Sequence, residues 1–305
     1  MEEKKINQAI YKIIIDNISE NNRIRKKNLM LKIFVIIMLL LFIFANMHNK
    51  SYYHTAIIKI EGEISSGSFA NAKDIIKSIN LAYENKYTKG IILEINSPGG
   101  SPVQSQLIYK ELTRLKKMYP KIPVYSVIKD IGASAAYMIA CGSDKIYADE
   151  MSIIGSIGVL ISTFGFENFM KKIGVERRLY TSGKFKGFLD PYSKINNEQK
   201  KIINYQLKMM HKLFIKRVME GRKNLIKVTP LIFSGLTWVG SDAFNIGLID
   251  GFGDTNYIAR EKIKSEHTIN YTHARGFFNN MKSQYIENIR QTFFNLKNKI
   301  SFSHI

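Results

Sequence analysis

The chain has 305 residues, of which 45% are hydrophobic, and carries a formal net charge of +20. This length and composition exclude a largely disordered chain and allow one large domain or two small ones with a real core. The Lys and Arg residues are scattered, and no helix-turn-helix, zinc knuckle or aromatic RNA-binding signature accompanies them, so we expect no nucleic-acid partner. The single cysteine, Cys141, excludes an intramolecular disulfide, and we interpret it as a small buried hydrophobe.

The N-terminal part has the pattern of a membrane anchor. Residues 1–28 form a basic leader, whose cluster at 23–27 precedes the most apolar run of the chain, residues 29–47. That run has about the length that a bilayer core needs. The long leader and the lack of a small-residue cleavage site favour an anchor over a cleavable signal peptide. We therefore expect a single-pass protein of the cell (inner) membrane with a cytoplasmic N-terminus.

After a linker at 48–54, residues 55–260 read as one α/β domain on the periplasmic or extracellular side. The pattern predicts strands at 55–60, 90–95, 124–128, 145–147 and 175–180, and helices at 71–83, from the NSPGG turn to about 118, and after Ser134. Strand–helix–strand units of this length need crossover connections. The sequence therefore predicts a layered α/β fold around a parallel sheet.

A long helix and a basic tail complete the chain. The helix is predicted to begin at Asn196, where Asn196 and Gln199 can form a capping box, and to end near Gly221. Its apolar stripe, which we interpret as core or subunit contact, consists of Ile203, Leu207, Met210, Phe214 and Val218. Residues 230–254 contain a short helix and a turn-rich segment. The tail, 261–305, has apolar residues at helical spacing from Phe278 to Ile300, for which we favour a protein contact over lipid.

Ser134 is the candidate nucleophile. It lies among small residues between a predicted buried strand and a predicted buried helix. A nucleophile at such a turn is exposed, and the N–H groups that open the helix can stabilise an oxyanion. A second turn, NSPGG at 96–100, ends another buried strand, and its glycines would let a substrate backbone approach closely.

The base for this serine is the less obvious partner. None of the six histidines lies in a strand-end loop after the serine. A lysine can take this role when burial favours its neutral amine. Two lysines, Lys184 and Lys186, lie in a glycine-containing loop after the predicted strand at 175–180, and spacing alone does not separate them.

Taken together, these motifs resemble the signal peptide peptidase A family of membrane-anchored Ser-Lys serine proteases, in its short bacterial form. The likeness covers about residues 55–255. It is carried by NSPGG at 96–100, the small-residue serine motif at 133–137, the DKIYA and GSIGV pair within 144–159, SGKFK at 182–186 with Pro191 after it, and WVGSDAFNIGLIDGFGD at 238–254.

The resemblance implies a Clp-protease/crotonase-like fold and a role for each site residue. Ser134 matches the nucleophile, and Lys186, rather than Lys184, matches the general base. Gly100 matches the oxyanion-hole glycine, with the Ala135 N–H as its natural second donor, and Ser156 matches the serine that orients the lysine. The family usually has two glycines after the nucleophile, whereas this chain has Ala135 and Ala136, which we expect to affect substrate preference more than activity.

The resulting hypothesis is a serine endopeptidase that degrades cleaved signal peptides and other short apolar peptides, without a metal or organic cofactor. In short members of the family the serine and lysine come from adjacent subunits, so we expect a homo-oligomeric ring. The alternatives are a regulatory protease of membrane proteins and a catalytically inactive, membrane-tethered scaffold ring. A crotonase-like acyl-CoA enzyme is disfavoured, because no carboxylate pair is placed for its acid/base chemistry.

Overall fold

The computed structural model describes residues 20–41, 52–223 and 225–273. The chain divides into two compact units, Met1–Tyr52 and Tyr53–Ile305. In the first unit residues 20–41 are helical, so the predicted span at 29–47 begins within this helix and continues beyond the described residues. Among the helices that the structure describes, none is both long and apolar enough to cross a membrane. The predicted helical stripe of the tail also lies outside the described residues.

The second unit is built on one eight-stranded sheet. Its strands are β1 (His54–Glu61), β2 (Thr88–Ser97), β3 (Val124–Ala133), β4 (Lys145–Ala148), β5 (Ile153–Gly155), β6 (Thr237–Val239), β7 (Gly251–Phe252) and β8 (Thr268–Asn270). They lie in the order β6-β5-β3-β2-β1-β8, and β4 pairs with both β3 and β7. Only the β5–β6 pair is antiparallel among these pairings. The predicted α/β class with a mainly parallel sheet is confirmed.

The helices connect these strands, and some of them begin at a side-chain cap. They are α1 (Ala72–Glu84), α2 (Pro102–Met118), α3 (Ala135–Ala140), α4 (Glu167–Lys172), α5 (Asn197–Arg222), α6 (Gly240–Asn245) and α7 (Thr255–Tyr257), followed by a π-helix at Ile258–Ile263. The Asn71 side chain caps α1 by accepting from the Asp74 N–H. Asn196 and Gln199 form the predicted capping box of α5.

Both faces of the sheet are covered. Along β2, Ile91 and Leu93 belong to the main core, whereas Ile92 points to a smaller core on the opposite face. This alternation follows from the two-residue period of a strand. The main core packs the sheet against α1, α2, α3 and the C-terminal half of α5, and the smaller one packs it against the π-helix. The result is the layered arrangement that the sequence predicted.

Three expectations about elements need correction. Residues 175–180 have no strand partner in the described sheet and are all exposed. The long helix α5 ends at Arg222, beside the predicted end near Gly221, but Gly221 is not its cap; a Cβ at Gly221 would clash with the Cys141 carbonyl oxygen, so glycine permits a close backbone contact. Finally, β8 pairs with β1, so the sheet extends beyond residue 260, where we expected the tail to begin.

Candidate active site

Ser134 occupies a sharp turn between β3 and α3. Its φ of 54° and ψ of −123° are unusual for a residue with a side chain, and such backbone strain is concentrated at functional sites. The turn is held on both sides: the Ser134 N–H donates to the Gly155 carbonyl at 2.8 Å, and its carbonyl accepts from the Met138 N–H at 3.0 Å. The side chain remains partly exposed at the start of a helix. A sharp strand-to-helix turn of this kind can present a serine hydroxyl for nucleophilic attack.

The NSPGG turn lies directly against Ser134. A Cβ on Gly99 would be 2.7 Å from the Ser134 Cβ, so only glycine allows this approach. On its other side the turn pairs with Ile64, whose N–H donates to the Gly99 carbonyl at 2.8 Å and whose carbonyl accepts from the Ser101 N–H at 2.7 Å. In a parallel bridge the flanking residues make the bonds, so the N–H of Gly100 itself points away from Ile64.

Gly100 and Ala135 therefore present two backbone donors to the same space. Both residues line the pocket that contains Ser134. Within the described part of the chain, no protein group accepts a hydrogen bond from either N–H. Unpaired N–H groups beside a nucleophile are what an oxyanion hole requires. Both Ala135 and Ala136 are buried in the main core, but only Ala135 lines the pocket.

Ser156 lines this pocket as well, just after the end of β5 rather than within a strand. Its φ is 51°, and its N–H donates to the Leu236 carbonyl at 2.8 Å. The next residue, Ile157, accepts a hydrogen bond from the His211 ring at 3.0 Å. The segment after β5 is thus fixed against both the β6 region and α5, and it forms a wall of the pocket.

The pocket has a volume of about 520 Å³ and is lined mainly by apolar side chains and glycines. Besides the predicted site residues, its lining consists of Pro102, Met138, Gly158, Val159, Leu160, Met210, Phe214, Ser234 and Gly235. Sequence reasoning did not assign these residues to the site. Met210 and Phe214 belong to the apolar stripe predicted for α5. The spacing of that stripe did not indicate that these two residues line the pocket of Ser134.

Lys186 is the predicted site residue that the described chain does not bring to Ser134. It is exposed and does not line the pocket. Its backbone N–H donates to the Gly183 carbonyl at 3.1 Å within a turn. The competing Lys184 is also exposed and pairs with Glu198 at 2.8 Å. The structure thus joins Ser134, Gly100, Ala135 and Ser156 in one pocket and leaves the lysine outside it.

Comparison with known proteins identifies the family. The sequence model of a family described as peptidase family S49 matches residues 116–269, about half of the chain, and the match includes Ser134, Ser156 and Lys186. The chain belongs to peptidase family S49. The membership in the signal peptide peptidase A family that the motifs indicated is thereby confirmed. A second family model, Clp protease, matches residues 45–152 and agrees with the Clp-protease-like α/β fold.

Relatives of this S49 chain carry different names. The Na(+)/H(+) antiporter NhaA of Brucella abortus is 39% identical over 213 residues, covering 67% of this chain and 28% of that protein. A protein of Enterococcus faecium named signal peptide peptidase SppA is 34% identical over 193 residues, covering 63% and 56%. A protein of Buchnera aphidicola named protease SohB is 30% identical over 237 residues, covering 77% and 68%. The chain thus spans only 28% and 56% of the first two relatives.

Proposed function

We propose that this protein is a serine endopeptidase with a Ser134–Lys186 dyad. The observation that carries the proposal is the pocket in which a strained Ser134 lies beside the free N–H groups of Gly100 and Ala135. Membership in a peptidase family supports the reaction class. The activity of the antiporter relative is not carried over, because the match covers 28% of that protein.

In the proposed reaction, neutral Lys186 takes the proton of the Ser134 hydroxyl, and the Ser134 Oγ attacks the scissile carbonyl. The Gly100 and Ala135 amides hold the resulting oxyanion. The lysine then returns the proton to the leaving amine, which gives an acyl-enzyme, and water completes hydrolysis by the same route. Ser156 would hydrogen-bond the lysine amine and orient it.

We propose further that Lys186 comes from an adjacent copy of the chain in a ring. Lys186 lies outside the pocket of its own chain, and no residue from 158 to 213 is buried. Large apolar side chains in this stretch are nevertheless exposed, including Leu160 at 81% and Phe164 at 76%. An exposed apolar surface of this kind is typical of an interface. A neighbouring copy could cover it and deliver the base.

The substrates we propose are cleaved signal peptides and other short apolar peptides, because the pocket is lined mainly by apolar groups. We also propose an anchor at residues 29–47, which would keep the N-terminus cytoplasmic and place the α/β domain in the periplasm or outside the cell. The helix at 20–41 and its basic cluster support this topology. Protease added to intact spheroplasts should degrade the domain; full protection would contradict the topology.

The test of the dyad uses the full-length chain in detergent with a fluorogenic apolar peptide. Ser134→Ala and Lys186→Ala should each abolish cleavage, whereas Lys184→Ala, a change in the same loop, should leave it intact. Co-expression of the two inactive variants should restore roughly a quarter of the wild-type rate, because in a randomly mixed ring that fraction of neighbouring pairs joins an intact serine to an intact lysine. Full activity in the Ser134→Ala or the Lys186→Ala variant would refute the proposed dyad.

Two other functions predict different results for the Ser134→Ala variant in cells and for labelling of the wild-type protein. A regulatory protease would leave specific membrane-protein fragments uncut when Ser134 is changed to Ala, while signal-peptide remnants would not accumulate. An inactive scaffold ring would fail to react with a fluorophosphonate probe at Ser134. Labelling of wild type and not of Ser134→Ala would therefore exclude the scaffold.

A further inference from the structure

Strand β3 contains an irregularity just before the nucleophile. Its pairing with β2 runs in register to Ile95 opposite Ile128 and resumes with Ser97 opposite Gly132, so β2 advances by two residues while β3 advances by four. The extra residues form a bulge around Lys129 and Asp130. Bulges bend a strand and re-aim the residues that follow, and they are common beside active sites.

This bulge is also where β3 changes its second partner. Before it, residues 125–128 pair with β4; after it, residues 131–133 pair with β5. The residue that follows the second pairing is Ser134, whose N–H continues the ladder to Gly155. The position of Ser134 therefore depends on the backbone conformation of the bulge. That conformation must in turn be held by contacts with neighbouring residues.

Two side chains hold the bulge. Asn96, at the end of β2, accepts a hydrogen bond from the Ile131 N–H through Oδ1 at 3.2 Å and donates through Nδ2 to the Asp130 carboxylate at 2.8 Å. From the other side, the Ser152 hydroxyl donates to the Lys129 carbonyl. Backbone groups in a bulge lose their ladder partners, so such side-chain bonds decide which conformation the bulge adopts.

We infer that Asn96 is a positioning residue for the proposed nucleophile. Asn96 does not line the pocket. It links the two chain segments that contribute to the pocket. Gly100 lies four residues after Asn96, and Ser134 lies three residues after Ile131, its hydrogen-bond partner. By bonding to the Ile131 N–H, the Asn96 amide fixes the conformation of the bulge. That conformation determines where the Ser134 hydroxyl lies relative to the Gly100 N–H. This inference rests on the proposed function of Ser134.

The chemistry of the pair allows a swap experiment in the full-length enzyme. Asn96→Asp keeps the acceptor for the Ile131 N–H but places two carboxylates where one hydrogen bond was. Asp130→Asn alone keeps an acceptor for the Asn96 amide and is the matched control. The double variant Asn96→Asp with Asp130→Asn restores a donor and an acceptor with their positions exchanged. Asn96→Ala removes both bonds.

We expect Asn96→Ala and Asn96→Asp to lower kcat by about tenfold or more with little change in KM, because a displacement of about 1 Å in a catalytic group can cost a hundredfold. Their rates of fluorophosphonate labelling at Ser134 should fall in parallel. Asp130→Asn should stay close to wild type, and the double variant should recover most of the kcat and of the labelling rate. A role in stability alone would change thermal unfolding without this pattern.

The outcomes distinguish a failure of the positioning role of Asn96 from a failure of the proposed function. An unchanged kcat in folded Asn96→Ala, or a double variant no better than Asn96→Asp, would overturn the positioning role while leaving the proposed function in place. Should Asn96→Ala fail to fold, the comparison of Asn96→Asp with the double variant still decides. Absence of Ser134 labelling in wild type would overturn the proposed function and this inference with it.

Discussion

Replacing Gly100 with alanine tests the oxyanion pocket through a steric effect that the structure defines. Gly100 has a φ of 142°, which residues with a side chain rarely adopt. A Cβ at this position would lie 2.2 Å from the carbonyl oxygen of Ile64, a fully buried residue in the core. The methyl group cannot be accommodated by a rotamer change, since the atom it meets is backbone. The strand end at residues 99–101 must therefore move away from Ile64.

The size of the effect follows from that displacement. Ordinary contact needs the two atoms to separate by about 1 Å more, and a misplacement of that size can reduce a rate by about a hundredfold. Loss of one oxyanion-hole donor costs about 10²–10³ in kcat, which gives the same range. Strain at the positive φ and weakening of the two hydrogen bonds to Ile64 should also destabilise the fold, by about 1–3 kcal/mol.

The assay measures kcat, KM and thermal unfolding for Gly100→Ala beside Gly67→Ala. Gly67 lies in the connection between β1 and α1, its φ is not positive, and a Cβ there would meet nothing within 4 Å. Gly67→Ala should therefore match wild type. We expect kcat of Gly100→Ala to fall about a hundredfold with a smaller change in KM. A folded Gly100→Ala enzyme with at least half of the wild-type kcat would refute the assignment of Gly100 to the oxyanion hole.

Two further predictions concern the ion pair of Arg222 and Asp250, which joins α5 to the loop before β7 at 2.6 Å with both side chains almost fully buried. Arg222→Met should lower the free energy of unfolding in urea by about 3 kcal/mol, since it removes the buried partner of the Asp250 carboxylate and leaves that carboxylate only the half-exposed Lys145 and the Ile146 N–H. Arg260→Met, in an exposed pair with Glu261, should cause no measurable change. Burial alone would raise the pKa of Asp250, but the hydrogen bond and charge of Arg222, with bonds from Ile146 and Lys145, outweigh it and hold that pKa below its usual range. A depressed carboxyl pKa contributes stability that is present above the unfolded value, about 3.9, and is lost as the pH falls through the folded pKa. The stability difference between wild type and Asp250→Asn should therefore shrink below about pH 4; a constant difference would contradict this linkage.

Sequence patterns predicted the elements whose side chains pack within one chain. The capping box at Asn196 and the apolar periodicity of β1 to β4 and of α1 predicted strands and helices of the main core, because periodicity reports burial directly. The same reasoning placed Ser134 at a strand-to-helix turn and the glycines at a strand end. These are local properties, and the parallel sheet brings the ends of neighbouring strands together at one edge.

The remaining features depend on contacts between distant segments. The bulge of β3 could not be predicted from the polar residues 129 and 130, which suggested only that the strand ends at Ile128. Its backbone is bonded by Asn96, near the end of β2, and by Ser152, just before β5. Gly221 likewise has the residue type of a helix end, yet the reason for glycine there is the Cys141 backbone against which it packs.

The stretch predicted as a strand at 175–180 has a different cause for its failure. Its apolar residues, among them Leu179 and Tyr180, are exposed and have no partner strand in the described chain. An apolar pattern predicts that a surface becomes buried, but it does not say whether the same chain or another copy buries it. The proposed assembly would account for both the exposed apolar residues and the position of Lys186 outside the pocket. The neighbouring copy that covers residues 159–192 would receive Lys186 at its own Ser134. An isolated copy would then hold a serine and its oxyanion donors without a base, and cleavage would depend on assembly.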